Sequence, residues 1–207
     1  MRHLRPSSEA EMIAEFLCQE YAHHERYGVR LDECLRLESV PGRRITHPDL
    51  DDPAANADRR RVFARYRGYG AGGYSYLTDF PATGVAWNWV ALTPAELLQS
   101  KYIGYPGSTW MELSGGTRDP TVAARRIGAG YKASDPSTRL FIDLAAKLRA
   151  GLTVPPVMLV SADDGETRVI LEGHTRITAY ALAPEAIPRE VAVILGVSPD
   201  IANWDEY

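Results

Sequence analysis

The segment Val169-Ile170-Leu171-Glu172-Gly173-His174-Thr175-Arg176 sets an imidazole, a hydroxyl and a guanidinium directly after a glycine, with a carboxylate just before it. The apolar run ending at Glu172 reads as a strand, and Ile177, Tyr180, Ala181 and Leu182 give the following residues, His174 to Ala183, a helical spacing. A strand that turns at a glycine straight into a helix presents the N–H groups of His174, Thr175 and Arg176, which have no partner inside the helix. That end attracts anions, and the three side chains add donors converging on one phosphate. Glu172 is placed to hold a magnesium ion bridging such phosphates, because hard cations prefer carboxylate oxygen. A plainer arrangement uses the same residues: Gly173 permits the turn, His174 caps the helix and Arg176 pairs with a nearby carboxylate.

The elements around this turn are legible from their punctuation. Val85 to Leu92 reads as a strand, and Thr93-Pro94-Ala95-Glu96 carries a capping-box signature for a helix through Lys101. Helices are expected from Thr121 to about Ala129 and from about Ser137 to Ala150, the latter with Leu140, Phe141, Leu144, Ala145 and Leu148 on one face and a stop at Gly151. Val157 to Val160 and Thr167 to Glu172 flank the turn signal Asp163-Asp164-Gly165, and Glu190 to Leu195 forms a last strand after Pro188. Helices and strands intermix, so the expected class is α+β, a small mixed sheet with helices packed on it over residues 85–207.

Residues 1–84 read as a mainly helical extension. Ser7-Ser8 precede an amphipathic helix with Met12, Ile13, Phe16 and Leu17 on one face, and a short helix fits residues 29–38. His23 and His24 are adjacent, so they point to different sides of a helix and do not form a metal pair. From Ala57 to Arg67 the arginines at 59, 60, 61, 65 and 67 surround an apolar stripe of Val62, Phe63 and Tyr66. Such a face is usually solvated, and nucleic-acid contact is the minority reading. The stretch from Arg67 to Tyr76 is glycine-rich with interleaved tyrosines but lacks the Lys-Ser/Thr of a phosphate loop, and is read as a connector.

Composition bounds the partners. Of the 207 residues 45% are hydrophobic and 24% charged, which is enough to bury a core without disulfides or metal. Cys18 and Cys34 show no ligand spacing. The formal charge of -4 argues against a surface that grips nucleic acid throughout, although 20 of the 23 basic residues are arginine. No apolar run reaches the length of a membrane span and Met1 to Pro6 lack a secretory core, so no membrane partner and a cytoplasmic location are expected.

The order of elements from Phe141 to Leu148, through Gly151-(x)n-Pro155-Pro156, the strand to Val160, the Asp-rich turn, Glu172-Gly173-His174-Thr175-Arg176 and its helix, then Ile187-Pro188 and the last strand, resembles the ParB/sulfiredoxin superfamily. The resemblance covers residues 85 to 197. It implies a nucleotide-binding core in which Glu172, Gly173, His174, Thr175 and Arg176 hold phosphates and Mg²⁺ at Glu172, with ATP, ADP or CTP as the nucleotide. His174 stands where sulfiredoxins carry their cysteine, and too few residues follow Leu195 for the DNA-reading domain of ParB itself. The motif is most similar to the Asp-Gly-His-His-Arg of ParB-fold free-serine kinases, which implies an NTP-dependent phosphotransferase or NTPase acting on a small molecule. In such kinases a glutamate lies in the loop before the long helix, and Glu112 is the residue so placed here, with His174 beside it in the catalytic set. Around Glu112, residues Ser114 to Thr117 suit a donor-rich nest, and Arg118 suits a phosphate or substrate carboxylate. The alternative reading is a DNA-associated ParB-like nuclease or nucleotide switch, with Arg59 to Arg67 meeting phosphates. A third reading makes the turn purely structural.

Overall fold

The computed structural model describes residues 1–22, 28–70 and 75–207. His23, His24 and the middle of the glycine–tyrosine connector lie outside the described residues. Two compact units form, one from Ser7–Trp87 and one from Met1–Pro6 together with Asn88–Tyr207. The boundary therefore falls three residues past the one read from the sequence, and the first residues join the C-terminal unit rather than the extension.

The C-terminal unit is α+β, with a five-stranded sheet in the order β1 (Arg2–Pro6), β2 (Ala86–Leu92), β5 (Val191–Val197), β3 (Met158–Ser161), β4 (Val169–Glu172). β1–β2 and β3–β4 pair antiparallel while β3–β5 pair parallel, so the sheet is mixed as expected. β1 was not legible, because all five of its residues are exposed and show no alternation. It is a strand because β2 offers it a ladder. At the opposite edge, Lys101 donates its N–H to Arg168 O (2.7 Å) and accepts from Ile170 N (2.8 Å). That bridge covers part of the β4 edge. It also explains why α5 (Pro94–Leu98), which has the expected Thr93–Glu96 capping box, stops before Lys101.

Four more helices belong to this unit. α6 (Thr109–Leu113) is a single capped turn in a stretch read as a loop, started by Ser108 accepting from Met111 N (3.3 Å). α7 (Pro120–Gly128) and α8 (Pro136–Arg149) match the expected helices, each beginning with an aspartate cap and proline at the first helical position. α9 (His174–Leu182) packs against both. Their apolar faces close over β3 and β4 in one core that contains Phe141, Leu148, Leu159, Ile170, Ile177 and Leu195.

The unit Ser7–Trp87 is helical: α1 (Glu9–Ala22), α2 (Val29–Glu38), a single turn α3 (Arg43–Thr46) and α4 (Pro53–Arg67). α4 starts four residues earlier than the sequence suggested, because Asp52 caps it by accepting from Ala54 N (2.9 Å) and Ala55 N (3.1 Å) ahead of Pro53. Phe16 and Phe63 meet at 4.7 Å between ring centroids in its core. Among the described residues, no helix is long and apolar enough to cross a membrane.

Candidate functional site

The turn between β4 and α9 is built around Gly173, whose φ of +107° is open to glycine and strained for any other residue. Space forbids a side chain as well: a Cβ there would lie 2.6 Å from Val157 Cγ1. As N-cap, Gly173 offers no side-chain acceptor to the first turn of α9. The expected strand–glycine–helix junction is therefore present, with Val157, just before β3, packed against the glycine.

His174, the first helical residue, is buried. Its ring stacks with Trp110 at 5.1 Å (24°) and with Tyr102 at 6.0 Å (16°), and Trp110 continues the stack to Phe141 at 5.4 Å. Burial, with Arg176 adding to it, pushes the imidazole down to about 3, so the ring is neutral at physiological pH. Nε2 is fully buried and has no hydrogen-bond partner among the described residues. An imidazole has only two ring nitrogens, so one unpartnered nitrogen is half of its polar inventory. Main-chain and side-chain bonds hold the ring's frame: the Thr178 hydroxyl donates to His174 O (2.7 Å). Because that bond uses its single proton, Thr178 Oγ1 accepts from the Tyr102 hydroxyl (2.7 Å). Tyr102 and Thr178 were not singled out from the sequence; the spacing of four between His174 and Thr178 was the available signal.

Arg176 adopts the plainer role. Nη1 donates to Pro155 O (3.1 Å) and Pro156 O (3.0 Å), and Nη2 donates to Glu172 Oε1 (3.1 Å). The guanidinium thus ties the strand end, the helix and the linker before β3 together, and its pairing with Glu172 meets the carboxylate expected for metal. Among the described residues, no three His, Cys, Asp or Glu side chains converge to hold a metal. A magnesium ion here would take Glu172 as its one protein carboxylate and complete its shell with phosphate oxygens and water, a common arrangement for that ion. Thr175 is partly exposed at the mouth of the turn.

The Glu112 region is arranged differently from the expectation. Glu112 is half exposed, with Lys132 Nζ at 2.5 Å and the Tyr131 hydroxyl donating at 3.2 Å. The hydrogen bond from Lys132 holds its carboxyl below the usual range, which weakens it as a proton acceptor. Trp110 faces His174, and residues two apart on a helix do not share a face, so α6 does not bring Glu112 to the imidazole. The nest is closed: the N–H groups of Gly115 and Gly116 donate to Glu112 O (3.1 Å) and Met111 O (2.8 Å). Ser114 donates to Trp110 O (2.8 Å) and Thr117 to Ser114 O (2.8 Å). Arg118 donates to the carbonyls of Tyr102 (2.7 Å), Tyr207 (2.7 Å) and Glu206 (3.1 Å), so it anchors the segment that carries the Tyr102 ring.

Each arginine of the α4 face also finds partners within its own unit, although the buried Arg59 Nε has none among the described residues. Arg59 is fully buried and donates to Arg44 O (3.1 Å) and Asp49 O (2.8 Å). Arg60 meets Glu9, Arg61 meets Asp58 and Glu38, Arg65 meets Glu38, and Arg67 meets Glu20.

The chain shows no significant match to models of known protein families, to curated proteins or to solved structures. The class defined by fold and site together is a mixed α+β unit with an uncapped helix N-terminus following a glycine turn.

Proposed function

We propose that the C-terminal unit has a ParB/sulfiredoxin-like core that binds the phosphates of a nucleoside triphosphate at the N-terminus of α9, and works as an NTP-dependent phosphotransferase or NTPase on a small molecule. The observation that carries this reading is the buried His174 Nε2 without a partner on the first residue of a helix whose N-cap is glycine. A polar atom left buried and unbonded costs about 1–3 kcal/mol, and a bound group that satisfies it returns that cost. A neutral imidazole can donate to a phosphate oxygen from that nitrogen, beside the partial positive charge of the helix end.

Within this reading the roles divide. The main-chain N–H groups of His174 and Thr175 and the Thr175 hydroxyl hold phosphate, and Glu172 holds magnesium, whose charge would neutralise the phosphate oxygens during transfer. Arg176 fixes the turn through the Pro155 and Pro156 carbonyls. No step is assigned to Glu112, whose carboxylate Lys132 occupies. The matched arginines of α4 do not favour the DNA-associated alternative.

Thr175→Glu is the discriminating variant, because a carboxylate in the first turn suits the helix dipole yet repels phosphate. The native protein is expected to gain thermal stability with ATP, ADP, CTP or GTP in a magnesium-dependent way, approaching about 2.7 kcal/mol at a hundredfold excess over the dissociation constant. The variant should melt like the native protein and show no such gain. A native protein that no nucleotide stabilises, or a variant that responds equally, overturns the assignment.

A further inference from the structure

A cleft of about 310 Å³ opens beside the turn, lined by Trp89 of β2, Pro155 and Pro156 of the linker before β3, Tyr180 of α9, Pro188, and Glu190 just before β5. Its volume lies at the small end of organic-ligand sites. Three proline rings and two aromatic rings give it rigid, flat walls without N–H donors at the proline positions. Thr153, Tyr180, Glu190 and the indole of Trp89 bring polar groups to that apolar lining. The Tyr180 side chain is 5% exposed and makes no hydrogen bond among the described residues. Glu190 is the one charged residue in the lining, and Arg2 holds it at an exposed surface through two bonds, Nε to Oε1 (3.2 Å) and Nη2 to Oε2 (2.7 Å), which a competing cation has to replace. No lysine, arginine or histidine lines the cleft itself, while Arg2 and Arg189 stand beside Glu190 at its rim.

We propose that this cleft binds a small aromatic amine, with the ring lying against the proline and tryptophan walls, the ammonium group at Glu190 in place of Arg2, and the Tyr180 hydroxyl accepting from the same end. The site is separate from the proposed nucleotide site and does not depend on it. The two share Pro155 and Pro156, which line the cleft and whose carbonyls accept from Arg176.

The test uses the full chain, ¹⁵N-labelled, titrated with tryptamine and separately with indole-3-acetate, which carries the same ring and the opposite charge. Tryptamine is expected to shift the amide signals of residues 152–154, 157 and 189–192 and to bind about tenfold more tightly than indole-3-acetate. Ala192→Trp fills the cleft from an exposed position and should abolish those shifts. Tyr180→Phe should weaken tryptamine about fivefold, the loss of one hydrogen bond, and Glu190→Gln should erase the preference between the two probes. Shifts absent from these segments, equal affinity for both probes in the native protein, or tryptamine binding that survives Ala192→Trp would each overturn the proposal. Thr175→Glu should keep tryptamine binding, which separates failure of this site from failure of the nucleotide site.

Discussion

Helix α4 and the first turn of α9 both present as phosphate-binding candidates in the sequence, and they differ in where their charges go. α4 has five arginines, and each guanidinium holds a carboxylate or a carbonyl within its own unit. The α9 turn has one arginine, also occupied, and beside it a buried imidazole nitrogen with nothing to bond. Arginine density therefore reports little about anion binding once carboxylates lie within reach. Buried polar atoms without a partner among the described residues also occur at Arg59 Nε, Ser100 Oγ and Arg168 Nε; the His174 nitrogen differs in sitting on the first residue of a helix whose N-cap is glycine.

Substitution at Gly173 should cost the molecule most. Gly173→Val adds a left-handed strain and a clash with Val157, and should lower stability by about 3–5 kcal/mol in denaturant unfolding. Pairing Gly173→Ala with Val157→Ala should relieve the clash and leave the strain, so the double variant is less damaged than the sum of its parts. If Gly173→Val unfolds like the native protein, the turn is not constrained to glycine.

Arginine removal comes next. Arg59→Ala and Arg176→Ala each strand several carbonyls or a carboxylate in buried surroundings, and each should cost about 2–3 kcal/mol by the same measurement. Arg176→Ala thus tests architecture, and its effect on nucleotide binding is read only alongside Thr175→Glu.

The third effect depends on pH. His174 is held neutral in the folded chain down to about 3 and titrates near the ordinary histidine value when unfolded. The unfolded chain binds the extra proton first, so the His174 contribution is intact above about 6.5 and stability is lost as pH falls from there toward 3, by up to about 1.4 kcal/mol per pH unit. His174→Phe should flatten that slope between pH 6 and 4. A slope identical in both proteins would mean the ring is not buried neutral. The smallest effect is expected at Arg61, half exposed on α4: Arg61→Ala should change stability by less than about 0.5 kcal/mol.

The turn was legible because its signals are local. An apolar run, a glycine and a helical spacing lie within a dozen residues, and the plainer reading of Arg176 needed only Glu172, four residues away. What escaped was supplied from a distance. β1 exists because β2 pairs with it, and Arg118 spends its donors on Tyr207 and Glu206, at separations of 89 and 88 residues. The closed nest at Ser114 to Thr117 was hidden because a five-residue helix leaves too little periodicity to be seen, and its carbonyls absorb the very N–H groups that made the loop attractive.

The Arg176 strut has a consequence for how the molecule comes to its folded state. Its bond to Pro155 O closes a circuit of 21 residues that encloses the whole β3–β4 hairpin. Closing so short a loop costs little chain entropy. By contrast, joining β1 to β2 brings His3 and Asn88 together across 85 residues. The β3–β4 hairpin and the turn after it can therefore close before the sheet has acquired its outer edge, while the Tyr102 and Trp110 rings that cover His174 join from farther along the chain.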